Sequence, residues 1–175
     1  MLMEKRWRCE LVYFIIIRGP LGSGKTTISK KLSTILTAKY ISIDNVLHKL
    51  DQVPPGAECI PAKNFIKAEK TLLPKIKEQL KKGKVVIIDA CFYHKESIEF
   101  FLKNLPFQHY VFTLKAPIEV CIKRDKERTK THGEDAAKAV HYLVSRFNYG
   151  TVIDVSKGGA DKAVKETLKY LPKKK

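Results

Sequence analysis

The chain alternates two kinds of apolar pattern. Val12 to Ile17, Val85 to Asp89, Tyr110 to Leu114 and Val152 to Val155 are continuous, largely β-branched runs of a strand's length, and Tyr40 to Ile43 is a shorter fifth. Runs of this kind read as strands buried on both faces, because a half-solvated strand would alternate with polar residues. After the first run, Ile28, Leu32, Ile35 and Leu36 recur at helical spacing within Thr26 to Leu36 and form one apolar stripe. Ser97 to Leu105 and Ala160 to Leu171 repeat that pattern. Alternating β and α elements with buried strands predict an α/β fold, a three-layer sandwich with a five-stranded parallel sheet and helices on both faces.

Two stretches depart from this rhythm. Asn45 to Lys82 contains Pro54-Pro55-Gly56, Pro61 and Pro74, which predicts a loop and at least two short helices, the second interrupted or restarted near Pro74. Val120 to Val140 is helical in pattern but crowded with charge and broken at Thr131-His132-Gly133. Both are candidate mobile covers over a site at the C-terminal edge of the strands. With no internal repeat, residues 1–175 read as a single domain carrying an insertion at about 45–82 and a lid at about 120–140, ending in a basic tail of Lys173, Lys174 and Lys175.

Composition narrows the partners. The 175 residues are 44% hydrophobic, enough for one core, and carry a formal net charge of +16. Such a charge favours acidic partners, nucleotides and nucleic acid among them. Cys9, Cys59, Cys91 and Cys121 are far apart and lack paired histidines, so they suggest reduced thiols rather than a disulfide framework or a zinc site. Lys5, Arg6 and Arg8 precede the apolar run Leu11 to Ile17, but the run is only a strand's length and leads straight into Arg18 and a glycine-rich loop. A cytoplasmic protein is therefore expected rather than a secreted one. No run approaches the length of a membrane-spanning helix.

The strongest chemical signal is Gly19-Pro20-Leu21-Gly22-Ser23-Gly24-Lys25-Thr26, a full match to the phosphate-binding loop G-x-x-x-x-G-K-[ST] between a predicted strand and a predicted helix. Its backbone N–H groups would wrap a nucleoside triphosphate, with Gly19, Leu21, Gly22, Ser23, Gly24, Lys25, Thr26 and Thr27 forming the cradle. Lys25 would reach the β- and γ-phosphates and the Thr26 hydroxyl would ligate magnesium. An Asn-Lys-x-Asp guanine motif and a Leu-Ser-Gly-Gly transporter signature are absent. Asp89 is followed by Ala90 rather than by a carboxylate that would orient water, so transfer to an acceptor other than water is the leading reading.

These features resemble the small P-loop kinases that include shikimate, gluconate, adenylylsulfate and polynucleotide kinases and the zeta-toxin-like ATPases. The resemblance also rests on Ile41-Ser42-Ile43-Asp44, on Asp89, and on Leu114-Lys115-Ala116-Pro117 with Arg124 and Arg128. It implies that the segment after the second strand holds the acceptor and that an arginine-bearing lid closes over ATP. It places Asp44 at the acceptor hydroxyl, where a carboxylate can take the proton that the attacking oxygen loses; the alternative is a cap on a helix starting near Val46.

Asp89 would emerge beside the phosphate loop and hold magnesium or contact the acceptor, although Asp89-Ala90-Cys91-Phe92-Tyr93-His94 replaces the group's Asp-Gly continuation. Arg124 and Arg128 share a helix face and would both reach a triphosphate, or else lie in a solvated charge network with Asp125 and Glu127. Arg146 is a further phosphate candidate, His94 a loop residue, and Ser156-Lys157-Gly158-Gly159 an adenine seat. Lys75, Lys77, Lys81, Lys82 and Lys84 suggest a solvated helix face or a nucleic-acid track. The expectation is an ATP- and magnesium-dependent kinase acting on a hydroxyl of an unidentified small-molecule, nucleotide or polynucleotide acceptor. The alternatives are an adenylylsulfate kinase-like enzyme and a nucleotide-dependent switch or RNA-binding ATPase.

Overall fold

Strand β1, Tyr13–Arg18, runs through the middle of the molecule, with Phe14, Ile15, Ile16 and Ile17 fully buried. Its side chains alternate between faces. Phe14 and Ile16 enter one core layer, and Tyr13, Ile15 and Ile17 enter the other. Burial on both sides is why the run is continuously apolar, and each such side chain contributes about 1.5–3 kcal/mol. The computed structural model describes residues 12–54 and 59–173. Cys9, the Pro55-Gly56 part of the proline-rich loop, the residues before Val12 and the Lys174-Lys175 end of the tail lie outside the described residues.

The remaining elements are α1 (Lys25–Leu36), β2 (Lys39–Ser42), α2 (Ile43–Lys49), α3 (Ala62–Lys81), β3 (Val86–Ala90), α4 (Lys95–Asn104), β4 (Gln108–Lys115), α5 (Ile118–Lys126), α6 (Glu134–Ser145), β5 (Thr151–Asp154) and α7 (Gly159–Leu168). The five strands are parallel and ordered β2-β3-β1-β4-β5. Residues of α2, α3, α4 and α6 cover one face, and residues of α1 and α7 cover the other. The chain passes from β1 toward one edge of the sheet and later from β3 across β1 to the other. A reversal of this kind opens a crevice at the C-terminal ends of the strands. Among the described residues, no helix is long and apolar enough to cross a membrane.

The alternative reading of Asp44 as a helix cap and one expectation about the Asn45 to Lys82 stretch are corrected. Helix α2 starts at Ile43, capped by the Ser42 side chain accepting from the Asn45 N–H, so Asp44 lies in its first turn and is not its cap. Helix α3 runs unbroken through Pro74. Pro74 and Lys70, whose carbonyl loses its helical donor, are both exposed, which leaves the freed group on the solvent side of the helix. Of the cysteines described, Cys91 and Cys121 are buried, Cys59 is exposed and all three are free thiols.

Arg18 continues the β1 alternation as a charged side chain in a buried position, with none of its surface exposed. Its Nε donates to the Phe92 carbonyl at 3.2 Å, Nη1 to Thr113 Oγ1 at 3.1 Å and the Phe147 carbonyl at 2.9 Å, and Nη2 to the Val144 carbonyl at 3.0 Å. The guanidinium also lies 4.2 Å from the centre of the Phe147 ring. Burial pulls its pKa down to about 10, which leaves it charged at neutral pH. The turn after β3, strand β4 and the end of α6 therefore meet on one side chain.

Glu69 of α3 is another buried ionisable group of this side of the sheet. It accepts from the Ser97 hydroxyl of α4 through Oε1, while Oε2 is buried without a partner. Burial pushes its pKa up to about 8 against the Ser97 bond, so the carboxyl keeps its proton at neutral pH.

Two stability measurements follow. Replacing Arg18 by Met leaves backbone carbonyls without donors at about 1–3 kcal/mol each, and thermal unfolding should show a Tm loss of at least about 6 °C; an unchanged Tm would contradict the role given to Arg18. For Glu69, the unfolded carboxyl titrates near pH 4.3 and the folded one near the value above, so stability falls as pH rises through that interval. Across about pH 5 to 9, Glu69→Gln should flatten this fall and raise the Tm at the alkaline end by several degrees; parallel profiles would contradict it.

Candidate active site

The loop between β1 and α1 has the conformation its glycines allow. Gly22 and Gly24 have φ of 73° and 87°, a region that L side chains rarely enter. A Cβ on Gly22 would also fall 2.1 Å from the Cys121 carbonyl oxygen, so the loop rests directly on α5. Gly24 is the N-cap of α1 and supplies no side-chain acceptor, which leaves the first-turn N–H groups facing the crevice. The Ser23 hydroxyl is buried without a hydrogen-bond partner. Thr26 and Thr27 are exposed on the first turn of α1. A helix start with open N–H groups and a free buried hydroxyl suits a phosphate.

Lys25 sits below this loop, 7% exposed, with Nζ donating to the Pro20 carbonyl at 3.2 Å. Burial opposes its charge, but Cys91, Asp44 and Asp89 outweigh that cost and hold the ammonium above lysine's ordinary pKa. Cys91 is itself pushed up to about 12 by burial, so at neutral pH its thiol is uncharged and the carboxyls are what balance Lys25. Sequence placed Lys25, Asp44 and Asp89 at the ends of different strands, and the fold gathers their charges.

Asp89 takes its direction from β3. Val86, Ile88 and Ala90 face one layer, so Ile87 and Asp89 face the layer of α1. The side chain is 1% exposed; Oδ2 accepts from the Tyr40 hydroxyl at 3.0 Å and Oδ1 is buried without a partner. Ser42 pairs in register with Asp89, and the Tyr40 hydroxyl is flanked by Asp89, Ser42 and Thr26. Burial raises the Asp89 pKa against the pull of Lys25, and raises that of Tyr40 further. An unpartnered buried carboxylate oxygen beside a threonine hydroxyl is a hard oxygen set that fits a magnesium ion completed by nucleotide oxygens and water.

Asp44, in the first turn of α2, is half-buried. Burial raises its pKa, while Lys25, His132 and His48 and the Cys91 N–H work in the opposite direction. The Asp89-to-His94 segment forms the wall beside it. Phe92 is buried with φ 44°, a strained conformation for a bulky residue, and is held by the Arg18 bond to its carbonyl and by an edge contact with Phe101. Next to it, the Tyr93 hydroxyl accepts from the Ile60 N–H at 2.8 Å and His94 Nε2 is 2.8 Å from the Ile60 carbonyl. His94 thus fastens the segment before α3, the loop role expected of it.

The stretch predicted as a lid forms a helical hairpin of α5, a turn and α6. Arg124 Nη2 reaches the Ser156 carbonyl at 3.5 Å, which puts it beside the Ser156-Lys157-Gly158-Gly159 loop. Arg128 Nη1 lies 3.6 Å from the Asp125 carboxylate and is half exposed. The two arginines therefore have different partners. Asp125, read from sequence as part of a solvated network, is instead buried and binds the turn. Arg146 is exposed at the end of α6. Most of the lysines of the Lys75 to Lys84 run are exposed, with Lys82 paired to Glu78, as on a solvated helix face.

Tyr40 and Arg18 were not singled out as site residues from the sequence, and Asp125 was read only as part of a solvated charge network. Arg18 does carry a signal, a cation placed in phase with Phe14 and Ile16 in a buried strand.

Comparisons with known proteins agree with this geometry. The solved structures that resemble the chain include a sugar kinase from Janibacter sp. HTCC2649, with a TM-score of 0.77, 16% identity and coverage of 91% of this chain and 94% of that one. A gluconokinase from Sinorhizobium meliloti 1021 has a TM-score of 0.70, 16% identity and coverage of 91% of both chains. A shikimate kinase from Acinetobacter baumannii in complex with shikimate has a TM-score of 0.62, 20% identity and coverage of 91% and 92%. At these identities the likeness is one of fold, that of the small P-loop kinases. No curated protein sequence matches the chain. A family model described as an AAA domain, AAA_33, matches residues 14–147, and with a match over most of its length the chain belongs to that family.

Proposed function

We propose that the chain is an ATP- and magnesium-dependent phosphotransferase that moves the γ-phosphate to a hydroxyl of a small acceptor. The observation that carries this reading is the buried Lys25 ammonium balanced by Asp44 and Asp89 beneath a phosphate-type loop. One face of the cluster belongs to the nucleotide and the other to whatever sits on α2.

The roles follow from position. The N–H groups from Gly22 to Thr27, with Gly19 and Leu21 shaping the approach, would hold the phosphates, and the Ser23 hydroxyl would donate to one of them. Lys25 would exchange the Pro20 carbonyl for a phosphoryl oxygen. Thr26 and Asp89 would hold magnesium, which supplies charge neutralisation at the β- and γ-oxygens. Asp44 would accept the acceptor's hydroxyl proton, a task for which its raised pKa makes it a better base than an ordinary aspartate. Arg124 and Arg128 ride on the hairpin that would act as a lid, Arg124 already beside the loop that would seat the adenine. The neighbouring folds named as gluconokinase, sugar kinase and shikimate kinase support a small hydroxylated acceptor rather than a nucleic acid.

The test is magnesium-dependent transfer of labelled γ-phosphate from ATP to pooled sugars, sugar acids, nucleosides and adenylylsulfate. Lys25→Ala should lower transfer by about 100- to 1000-fold and Asp44→Asn by about 100- to 10,000-fold, with folding unchanged. The acid limb of kcat should lie above the ordinary carboxylate range of about pH 4, because Asp44 must be ionised to take the proton and its pKa is raised. Asp44→Asn should abolish that limb. ATP hydrolysed to free phosphate at the same rate with or without acceptors, and unaffected by Asp44→Asn, would contradict the assignment.

A further inference from the structure

Strand β2 is an edge of the sheet, yet one of its side chains turns inward to a residue of the site. Tyr40 pairs in register with Ile87 and Ser42 with Asp89, while on the other side of β3 Asp89 pairs with Ile17 of β1. Residues in register on parallel strands share a face, so Tyr40 and Asp89 both lie on the face that Ile17, Ile87 and the helix α1 residues Ile28 and Leu32 fill. Ile17 is two residues before Gly19, which places Asp89 beside the root of the phosphate-type loop. Thr26 is in the first turn of the helix that covers this same face.

The two oxygens of Asp89 are treated differently. Oδ2 accepts from the Tyr40 hydroxyl at 3.0 Å, whereas Oδ1 has no hydrogen-bond partner although the residue is 1% exposed. A carboxylate that only sealed the edge of the sheet would have both oxygens satisfied, because an open acceptor in a buried position is costly. The phenol also restrains rotation about the Cβ–Cγ bond of Asp89. Its ring stands on a strand that is itself bonded to β3, so the carboxylate is held in one orientation with one oxygen free.

We infer that Tyr40 is the positioning residue of the metal site: its hydroxyl holds Asp89 Oδ2 and so keeps Oδ1 open for the divalent cation that accompanies the nucleotide. Groups that orient a metal's ligands govern its affinity nearly as strongly as the ligands do. A hydroxyl that donates to Oδ2 remains compatible with a cation on Oδ1, since an ionised carboxylate accepts at both oxygens. The inference rests on the nucleotide and magnesium reading above.

Metal-dependent ADP binding tests it without knowledge of the acceptor. ADP is titrated calorimetrically, with magnesium and with EDTA, into the wild-type protein, Tyr40→Phe, Asp89→Asn and the double variant. Manganese affinity of each ADP complex is read from its electron paramagnetic resonance signal. Tyr40→Phe should keep the wild-type fold, weaken manganese binding to the ADP complex by about tenfold and change ADP affinity in EDTA by less than about twofold. Because Tyr40 acts through Asp89, Tyr40→Phe should have no further effect in the Asp89→Asn background. Wild-type manganese affinity in Tyr40→Phe, an equal loss of ADP affinity with and without metal, or an undiminished effect in the Asp89→Asn background would overturn the inference. A wild type that binds ADP no more tightly with magnesium, or whose manganese affinity survives Asp89→Asn, would sink the metal reading and the role of Tyr40 with it while leaving the nucleotide site standing. A wild type that binds no ADP at all would sink the nucleotide reading as well.

Discussion

A buried guanidinium that meets no carboxylate among the described residues holds the working edge of the sheet together. Arg18 leaves β1 immediately before the phosphate loop, and its donors reach the turn after β3, strand β4 and the C-terminal end of α6. Carbonyls at the end of a helix carry partial negative charge, so a cation there is favourable without a formal counter-ion. Thr113 extends the junction by donating to the Tyr149 carbonyl at 2.7 Å and accepting from the Tyr149 N–H at 3.2 Å. Phe92 could not keep a left-handed backbone unless its surroundings over-determined it, and that residue sits between Cys91 at the charge cluster and Tyr93 at the Ile60 latch. The phosphate-type loop, the segment beside Asp44 and the root of the hairpin are thereby referred to one side chain.

The charge cluster makes sense against that rigid frame. Removing an ammonium and its carboxylates from water costs energy that their mutual attraction repays only when the geometry is fixed. Lys25, Asp44 and Asp89 come from three separate elements, and the frame holds their spacing before any ligand arrives. Cys91 adds a neutral thiol at the position where a third charge would upset the balance. Ser23 Oγ and Asp89 Oδ1 are buried without hydrogen-bond partners and are left open. An arrangement with its cation in place and its oxygen donors unspent is what electrostatic stabilisation of phosphoryl transfer requires.

Much of this was readable from the chain. The continuous β-branched runs gave the sheet, because strands buried on both faces leave no room for alternation, and the glycine-lysine-threonine loop marked where its working edge lies. Strand-end aspartates could be placed by topology alone. Long-range bonds could not: nothing local in the sequence says that Arg18 will cap α6, that Tyr40 will cover Asp89, or that Asp125 will bind a turn rather than face solvent. Pro74 misled for a similar reason, since the cost of a proline in a helix depends on whether the carbonyl it frees is exposed. The alternative reading of Asp44 as a cap fails because Ser42 takes the capping position and leaves Asp44 in the first turn.

The central claim is that the cluster is assembled to receive a transferring phosphoryl group. The most direct measurement is a crystal structure of the protein grown with magnesium, ADP and aluminium fluoride, which mimics that group in flight. The account predicts that Lys25 Nζ leaves the Pro20 carbonyl for the fluoride and phosphate ligands, with magnesium on Thr26 and Asp89 and Asp44 on the side of the mimic opposite ADP. A nucleotide bound elsewhere, or Lys25 still on Pro20 with the mimic in place, would contradict it.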